Sequence, residues 1–515
     1  MIERDDIVLN GAGYTVHGTG RTWPASGISL TGRSNVTIKN VNIYCFGKGI
    51  YLVNSSKNIL TGNNVSVRDY GIDLEDGSNN NTVSGNTPTG NVGAGIELGS
   101  SSYNTVSGNT VTANRHCGIG LVSSSNNIVS GNDATANWDN GISLSYSSNN
   151  TVNGNNVTAS ALGFGISLWF SSYNTVSGND ASATSLDGIF LGSSSNNNIV
   201  SGNNVTANGR YGMFIEDASN HNVVSGNNAS ANGNDGIYLF KSSYNVVSGN
   251  NASANGNDGI HLYISYNNTV SGNDASANAI GIDLEDGSSN NTVSGNTVTA
   301  NGFAVRFHLW SPSNNTIYHN NFIGNAFQVS SDGSPNMWDD GYSSGGNYWS
   351  DYNGTDANHD GVGHTPCVID ANNIDNYPLM GMFYSFNVSW VDSGYIVDLI
   401  SNSTISGFDV GILLEDPYAR FIIFNVTGEN DTVGFCRILI PTALMDGTYR
   451  ILVNGTEVPS NLLQCSNSTH SYLYFNYTHS TQEVIIIPEF PSFLILPPFF
   501  MATLLAVIAY KRKHV

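Results

Sequence analysis

NTVSGNTVTANRHCGIGLVSSSN, residues 104–126, is one copy of a phrase that returns down most of the chain. Copies begin at Asn58, Asn81, Asn104, Asn127, Asn150, Asn174, Asn198, Asn222, Asn245, Asn268, Asn291 and Asn315, so every step is 23 or 24 residues. A fixed period of that size is the mark of a solenoid, whose single turn cannot bury its own apolar face. Within the copy, three short alternating segments (TVS, TVTA and GIGL) are separated by Gly, Asn and Ser. They are too short for helices and are bounded as strands are. Val106, Val111, Ile119 and Leu121 sit at offsets that recur, and stacking would merge them into one core between three parallel sheets. The chirality of parallel crossovers predicts right-handed winding. The expected fold is therefore all-β, a right-handed parallel β-helix of about 13–14 coils over residues 1–321, about 65 Å long.

The most regular signal is the Gly-Asn pair that closes the first strand of each coil. It supplies Asn63, Asn86, Asn109, Asn132, Asn155, Asn179, Asn203, Asn227, Asn250, Asn273 and Asn296. Gly and Asn both tolerate the positive φ of a tight corner. Identical amides one coil apart can also hydrogen-bond as a ladder. These asparagines read as scaffold.

The NNTVSGN coils, with a terminal GGNYWSDYNGTDANHDGVGHTPCVID at 345–370, resemble the NosD-type (periplasmic copper-binding) β-helix repeat proteins abundant on archaeal surfaces. The likeness runs over about 7–382 and implies the fold, a surface location and, by the family's name, copper. It does not specify an activity. At 364 and 367 this chain has His and Cys where relatives usually have Asp and Tyr.

Charged residues make up only 11% of the chain, but Lys+Arg 17 against Asp+Glu 39 gives a net charge of -22. That balance excludes nucleic acid as a natural partner. Five cysteines in 515 residues do not make a disulfide scaffold. Cys436 and Cys465 are the pair that could bridge within one domain. Sequons such as Asn64, Asn156 and Asn204 would be glycosylation acceptors in an exported protein.

The N-terminus has no basic segment followed by an apolar one, so no signal peptide is visible and the chain reads as a truncated or misassigned start. Residues 322–382 lose the GIxL strand, gain aromatic residues and read as the cap that covers the last open coil. Residues 383–487 alternate apolar and polar between turn clusters, the pattern of a β-sandwich. In 488–515, an apolar run from Phe493 to Tyr510 precedes Lys511-Arg512-Lys513, which reads as a transmembrane anchor helix with the rod outside. PEFPS at 488–492 resembles the PEF-type sorting signal of archaeal exported proteins.

In GIxLx the two x positions should point outward from one sheet. Along the rod they are acidic at both ends and aromatic between, with Trp169, Phe190, Phe214, Tyr238, Phe240 and Tyr263 forming a flat strip suited to stacking on sugar rings. The plain alternative is that aromatics favour sheet surfaces. Two GIDLEDGS clusters offer Asp73, Glu75 and Asp76, and Asp283, Glu285 and Asp286, to Ca2+, or are solvated turns. Asp356, Asn358 and Asp360 before Gly361 have the spacing of a calcium loop, with an Asx-rich turn as the alternative; Cys367 at its twelfth position excludes a full EF-hand. His359, His364, Cys367, Met380 and Met382 match no defined copper spacing, so calcium rather than copper is the cofactor suggested.

No pectinase-type or alginate-epimerase-type motif occurs; Arg115-His116 and His261 near Asp258 are only loose acid–base candidates. The chain reads as a cell-surface protein for adhesion, carbohydrate contact or envelope structure, with a polysaccharide, a glycan or an envelope protein as partner. A carbohydrate-active enzyme is the alternative, favoured by a clustered acid–base pair in the folded rod, and a copper-binding accessory protein is a second.

Overall fold

The computed structural model describes residues 1–19, 25–390, 393–413 and 416–488, the side chains of 413–419 excepted. It divides into two compact units, residues 1–355 with 364–378, and residues 356–363 with the chain after 379.

The first unit is the rod. Its TVS segments stack into a 14-stranded parallel sheet running from Val8–Asn10 to Thr316–Tyr318, and its GIxL segments into a second from Ser26–Thr31 to Phe327–Ser330. Register is in step with the repeat: Val83 pairs with Val106, and Ile96 and Leu98 with Ile119 and Leu121. Because side chains alternate across a strand, this register sends every Val, Ile and Leu of the pattern to one side. There they form a single core from Ile28 to Trp349.

The third face departs from the expected sheet. Four-stranded sheets exist at each end, from Thr15–His17 to Thr87–Pro88 and from Asp274–Ser276 to Tyr348–Trp349. Between them the coils touch through single bridges, such as Thr110–Asp133 and Asp133–Asn156. The alanine that ends the TVTA segment takes positive φ in these coils, at Ala113, Ala136, Ala159, Ala183, Ala207, Ala231 and Ala254, and equally at Ala277 and Ala300 where strands do form, so the corner itself does not decide between a strand and a single bridge.

Asparagine ladders fasten the corners. Asn109 Nδ2 donates to Asn132 Oδ1 at 2.9 Å and to the Val83 carbonyl at 2.9 Å, while Asn109 N donates to the same Asn132 Oδ1 at 3.0 Å. The contact recurs along the Gly-Asn row from Asn63 to Asn320. A second ladder runs through the residues that open each copy, Asn58 to Asn315, and a third through Asn208, Asn232, Asn255, Asn278 and Asn301. In the Gly-Asn pair it is the glycine alone that bends backwards. Gly108 has φ 61 with open space around it, and the following asparagine keeps an ordinary φ.

The expected loss of the GIxL strand after residue 321 is corrected: Phe327–Ser330 pairs with Phe303–His308, and Tyr348–Trp349 pairs with Asn321–Ile323. The coil pattern thus continues into the segment read as a cap. The closing layer is Trp338 and Trp349, 1% and 2% exposed, set against Phe307 and Phe322. Their indole N–H groups donate to Asn373 Oδ1 at 3.1 Å and to Asp375 Oδ2 at 2.8 Å. Burial pushes the Asp375 carboxyl up to about 7.

The second unit contains two five-stranded antiparallel sheets, one from Met382–Trp390 to Ser460–Leu462, the other from Thr404–Leu413 to Thr456–Val458. Val397, Leu399, Ile422, Phe424, Ile438 and Val484 fill its core. The proposed Cys436–Cys465 bridge is absent, since both thiols are free. Cys436 is buried beside the Ser401 and Tyr477 hydroxyls, and Cys465 faces Arg437. Among the described residues no helix is long and apolar enough to cross a membrane. The anchor expected over 488–515 lies, beyond Pro488, outside them.

Candidate ligand-binding face of the rod

Parallel register turns the outward x positions of the second sheet into columns. Tyr238 lies beside His261, His261 beside Asp283, and Asp283 beside Arg306. The expectation that these positions form a flat exposed strip needs correction. Phe190 is 1% and Phe214 7% exposed, and Asp73, Ser167 and Asp283 are fully buried. The turns entering the strands fold back over the column: the Phe164 ring stacks on Phe190 at 4.6 Å, and Tyr211 lies 5.1 Å from both Phe214 and Tyr238. Phe190 and Phe214 are therefore the floor of a packed row of rings. Trp169, Tyr238, Phe240 and Tyr263 are half-buried and reachable. The row is continuous: Trp169–Phe190 4.6 Å, Phe190–Phe214 5.8 Å, Phe214–Tyr238 5.0 Å, Tyr238–His261 4.5 Å.

The row ends in a cleft of about 330 Å3 lined by Tyr211, Asp235, Tyr238, Asn257, Asp258, His261 and Arg306, among others. His261 Nδ1 lies 3.2 Å from Asp235 Oδ2 and 3.6 Å from Asp258 Oδ2, and His261 Nε2 lies 3.1 Å from Glu285 Oε2. Burial disfavours the imidazolium, but the Asp235 and Glu285 contacts outweigh it and lift His261 to about 10. Asp283 is held below the usual carboxylate range: burial opposes ionisation, yet His308 and Arg306 bind both its oxygens. Asp258 is the exception. It is 5% exposed, accepts no hydrogen bond, and burial together with Asp283 and Asp235 raises its carboxyl to about 7. A carboxyl raised to about 7 is thus held beside the lowered Asp283 and a cationic imidazole, the kind of separation that acid–base chemistry uses.

At the rod's other end, Lys48 Nζ bonds Glu75 at 3.0 Å and pairs with Asp73, and the Tyr51 hydroxyl donates to Glu75 at 2.6 Å. Glu97 lies over Gly120, where a Cβ would sit 2.0 Å from its Oε2, and burial pushes it up to about 8. In the GIDLEDGS motifs Lys48 pairs with Asp73 and Glu75, Arg306 with Asp283, and His308 with Asp283 and Glu285.

In the second unit, Asp356 accepts from the amides of Asp360 at 3.1 Å and Gly361 at 2.8 Å, and Asn358 Nδ2 donates to Asp360 Oδ2 at 3.0 Å. Arg437 donates to the Asp360 carbonyl at 2.8 Å. The side chains of Asp356, Asn358 and Asp360 thus build an Asx-rich turn, an arrangement that a calcium loop shares. Of the copper candidates, the Cys367 thiol is pushed up to about 11 by burial.

The sequence reading noted His261 near Asp258 but missed Asp235, Arg306 and His308 as members of one site. The signal was present. Continuing the outward pairs one coil past Asp283/Glu285 gives Arg306/His308, where the phrase reads AVRFHLW instead of GIxL.

Two family models match the chain: "Right handed beta helix region" over residues 26–181 and "Periplasmic copper-binding protein (NosD)" over 194–354. No curated protein matches. Among solved structures, the mannuronan C-5 epimerase AlgE4 A-module of Azotobacter vinelandii is 13% identical with a TM-score of 0.41, covering 60% of this chain and 91% of its own. The Dettilon tailspike protein is 14% identical with a TM-score of 0.41, covering 93% and 87%. The periplasmic alginate epimerase AlgG is 15% identical with a TM-score of 0.31, covering 59% and 78%. The rod is a parallel β-helix by its own strand order, and its residues 26–181 and 194–354 are similar to the right-handed β-helix and NosD families respectively.

Proposed function

We propose that the rod binds a glycan chain along the aromatic row of its second sheet, as a contact protein of a cell surface. The observation that carries this is the continuity of the row. Half-buried rings held by buried ones run from Trp169 to Tyr263 and end at a polar cleft. Rings fixed in this way lose little entropy on contact, and their faces suit the apolar faces of sugars. The side chains around the cleft are carboxylates already matched by His261, Arg306 and His308, which favours neutral sugars over polyanions. In this reading the rod is displayed outside the cell and residues 488–515 anchor it, with PEFPS as a sorting signal.

The test is a glycan-array screen of the full chain beside a Trp169→Ala/Phe240→Ala double variant whose melting temperature has been checked. Binding by the wild type and at least tenfold weaker binding by the variant are expected. A wild type that binds no glycan on the array overturns the proposal, leaving an envelope spacer as the better account.

A second reading, a carbohydrate-active enzyme, is favoured by one observation: the Asp258 carboxyl, which accepts no hydrogen bond, is raised to about 7 near Asp283, held in its ionised form, at the cleft where the row ends. Copper handling finds no comparable support in the geometry.

A further inference from the structure

The first sheet carries a regularity that its core does not require. Its first two strands and its last left out, it runs from Ile59–Thr61 to Thr292–Ser294. In chain order the first outward residue of these strands reads ITTITTIVVTT, every one β-branched, and the second reads TSSSNSSSSSS. All of them are exposed or half-buried, and neither row holds a charged or aromatic side chain, in a chain of net charge -22. The core is filled by the buried Val or Leu between them, so packing leaves both outward positions free to vary. Register keeps the rows straight: Thr82 pairs with Thr105 and Ser84 with Ser107, and Thr151 pairs with Thr175. No hydroxyl of the two rows bonds another described residue. Buried serines behave otherwise: the Ser124 hydroxyl lies 2.9 and 3.0 Å from the Leu98 and Val122 carbonyls.

From these rows we propose that the outward side of the first sheet binds ice. A hydroxyl both donates and accepts, as water does, and β-branched side chains hold χ1 nearly fixed. Methyls and hydroxyls therefore recur about every 4.8 Å along the rod. That spacing is comparable to the shortest repeat of the ice lattice, and ice, like the face, is uncharged and periodic. Other occupants fit less well. At about 50 Å of rod and about 10 Å of strand, the face offers about 500 Å2, against about 800 Å2 per partner in a stable protein pair, which disfavours a second copy of the chain. A polysaccharide would find its ring platforms on the second sheet instead. The asparagine ladders hold successive coils in step, so the rows keep their spacing without help from a ligand.

This face lies on a different sheet from the aromatic row, so the proposal stands or falls apart from the glycan reading. The full chain is frozen as a thin film and the growth of ice grains is followed by microscopy; its uptake into a slowly growing ice hemisphere is measured alongside. Micromolar protein is expected to slow grain growth and to be enriched in the ice. The face variant is Ser177→Lys/Ser225→Lys; Lys39 already stands in that row near the early end, so the sheet accepts the side chain. It should be at least tenfold less potent, while Trp169→Ala/Phe240→Ala should match the wild type. A wild type that leaves grain growth unchanged and is excluded from ice overturns the proposal, as does a face variant as potent as the wild type. Retention on crystalline cellulose, or a dimer in sedimentation, that the face variant loses in the absence of ice uptake gives the face to that occupant and overturns it too. If the lysine variant does not melt as the wild type does, Thr151→Ala/Thr175→Ala takes its place with the same expected loss.

Discussion

Removing the side chain of Asn155 isolates what a ladder rung contributes. Its Oδ1 accepts from Asn132 N at 3.0 Å and Asn132 Nδ2 at 2.9 Å, and its Nδ2 donates to the Val129 carbonyl at 3.0 Å and Asn179 Oδ1 at 2.9 Å. Asn155→Ala leaves two donors of Asn132 without an acceptor, in a space that excludes water. At about 1–3 kcal/mol for each unsatisfied buried group, the loss is about 2–6 kcal/mol. The neighbouring Asn156 is exposed and makes one weak side-chain contact, to Asp133 at 3.4 Å, so Asn156→Ala is the matched control. Solenoids open locally, so the sharper assay is amide hydrogen exchange, which should accelerate over about residues 127–179 in Asn155→Ala and not in Asn156→Ala. Urea unfolding supplies the second readout. A difference between the two variants of less than about 0.5 kcal/mol, with equal exchange, would refute the view that the rungs are energetically binding.

Three further outcomes follow from named contacts. The Asp375 carboxyl is raised from 3.8 to about 7, so the folded cap holds a proton across that window and loses stability as pH rises through it; the gap corresponds to about 4 kcal/mol. Asp375→Asn, which keeps an acceptor for Trp349, should remove that slope and melt higher than the wild type above pH 7; thermal melts from pH 5 to 8 check it. Gly108→Ala meets only the strain of its φ of 61 and should lose about 1 kcal/mol, whereas a Cβ at Gly141 would sit 1.9 Å from Val157 Cγ1 and should lose more, as paired urea curves would show. Asp187 is fully buried and held by Arg210 through two hydrogen bonds, so Arg210→Met should destabilise by about 2 kcal/mol or more, and Asp187→Asn in the same background should recover part of it.

Much of the rod was legible because its determinants are periodic. The copy starts give the coil length, the Val-Ile-Leu offsets give the core, and the Gly-Asn pair gives a corner with its ladder. What escaped is not periodic. Alternation says which side of a sheet a residue faces, but not whether something lies over that side, so Phe190 and Phe214 looked like surface until Phe164 and Tyr211 were found against them. The third face looked like a strand because TVTA alternates, but the segment pairs as a full strand only towards the two ends of the rod, although its alanine turns left-handed in both settings. The cleft was half legible: His261 and Asp258 share one phrase, but Asp235 belongs to the preceding coil and Arg306 to a coil that breaks consensus. Their meeting is a fact of register, not of sequence spacing. Asx-rich turns and cation loops draw on the same residues, so the amides that reach Asp356 do not separate the two readings of that loop.

The ladders also have a direction. Along the Gly-Asn row each rung donates toward the next coil, from Asn109 to Asn132 and on to Asn155, so those side-chain amides line up head to tail along the rod, while in the second row Asn104 Nδ2 makes no such bond. At the early end the first oxygens are met by backbone amides, Val36 N on Asn58 and Val41 N on Asn63. At the late end the backbone amides of Asn336 and Asn347 donate to Asn373 Oδ1 and Asp375 Oδ2, and Asn373 in turn donates to the Asp370 carboxylate. The interior of such a rod is indifferent to its own length. A whole coil, such as residues 127–149, can be excised or duplicated and every amide will find the same neighbour, while a cut of any other size throws all the rows out of step. Length is thus free to drift in quanta of one coil between two fixed ends, and the reach of the binding face drifts with it.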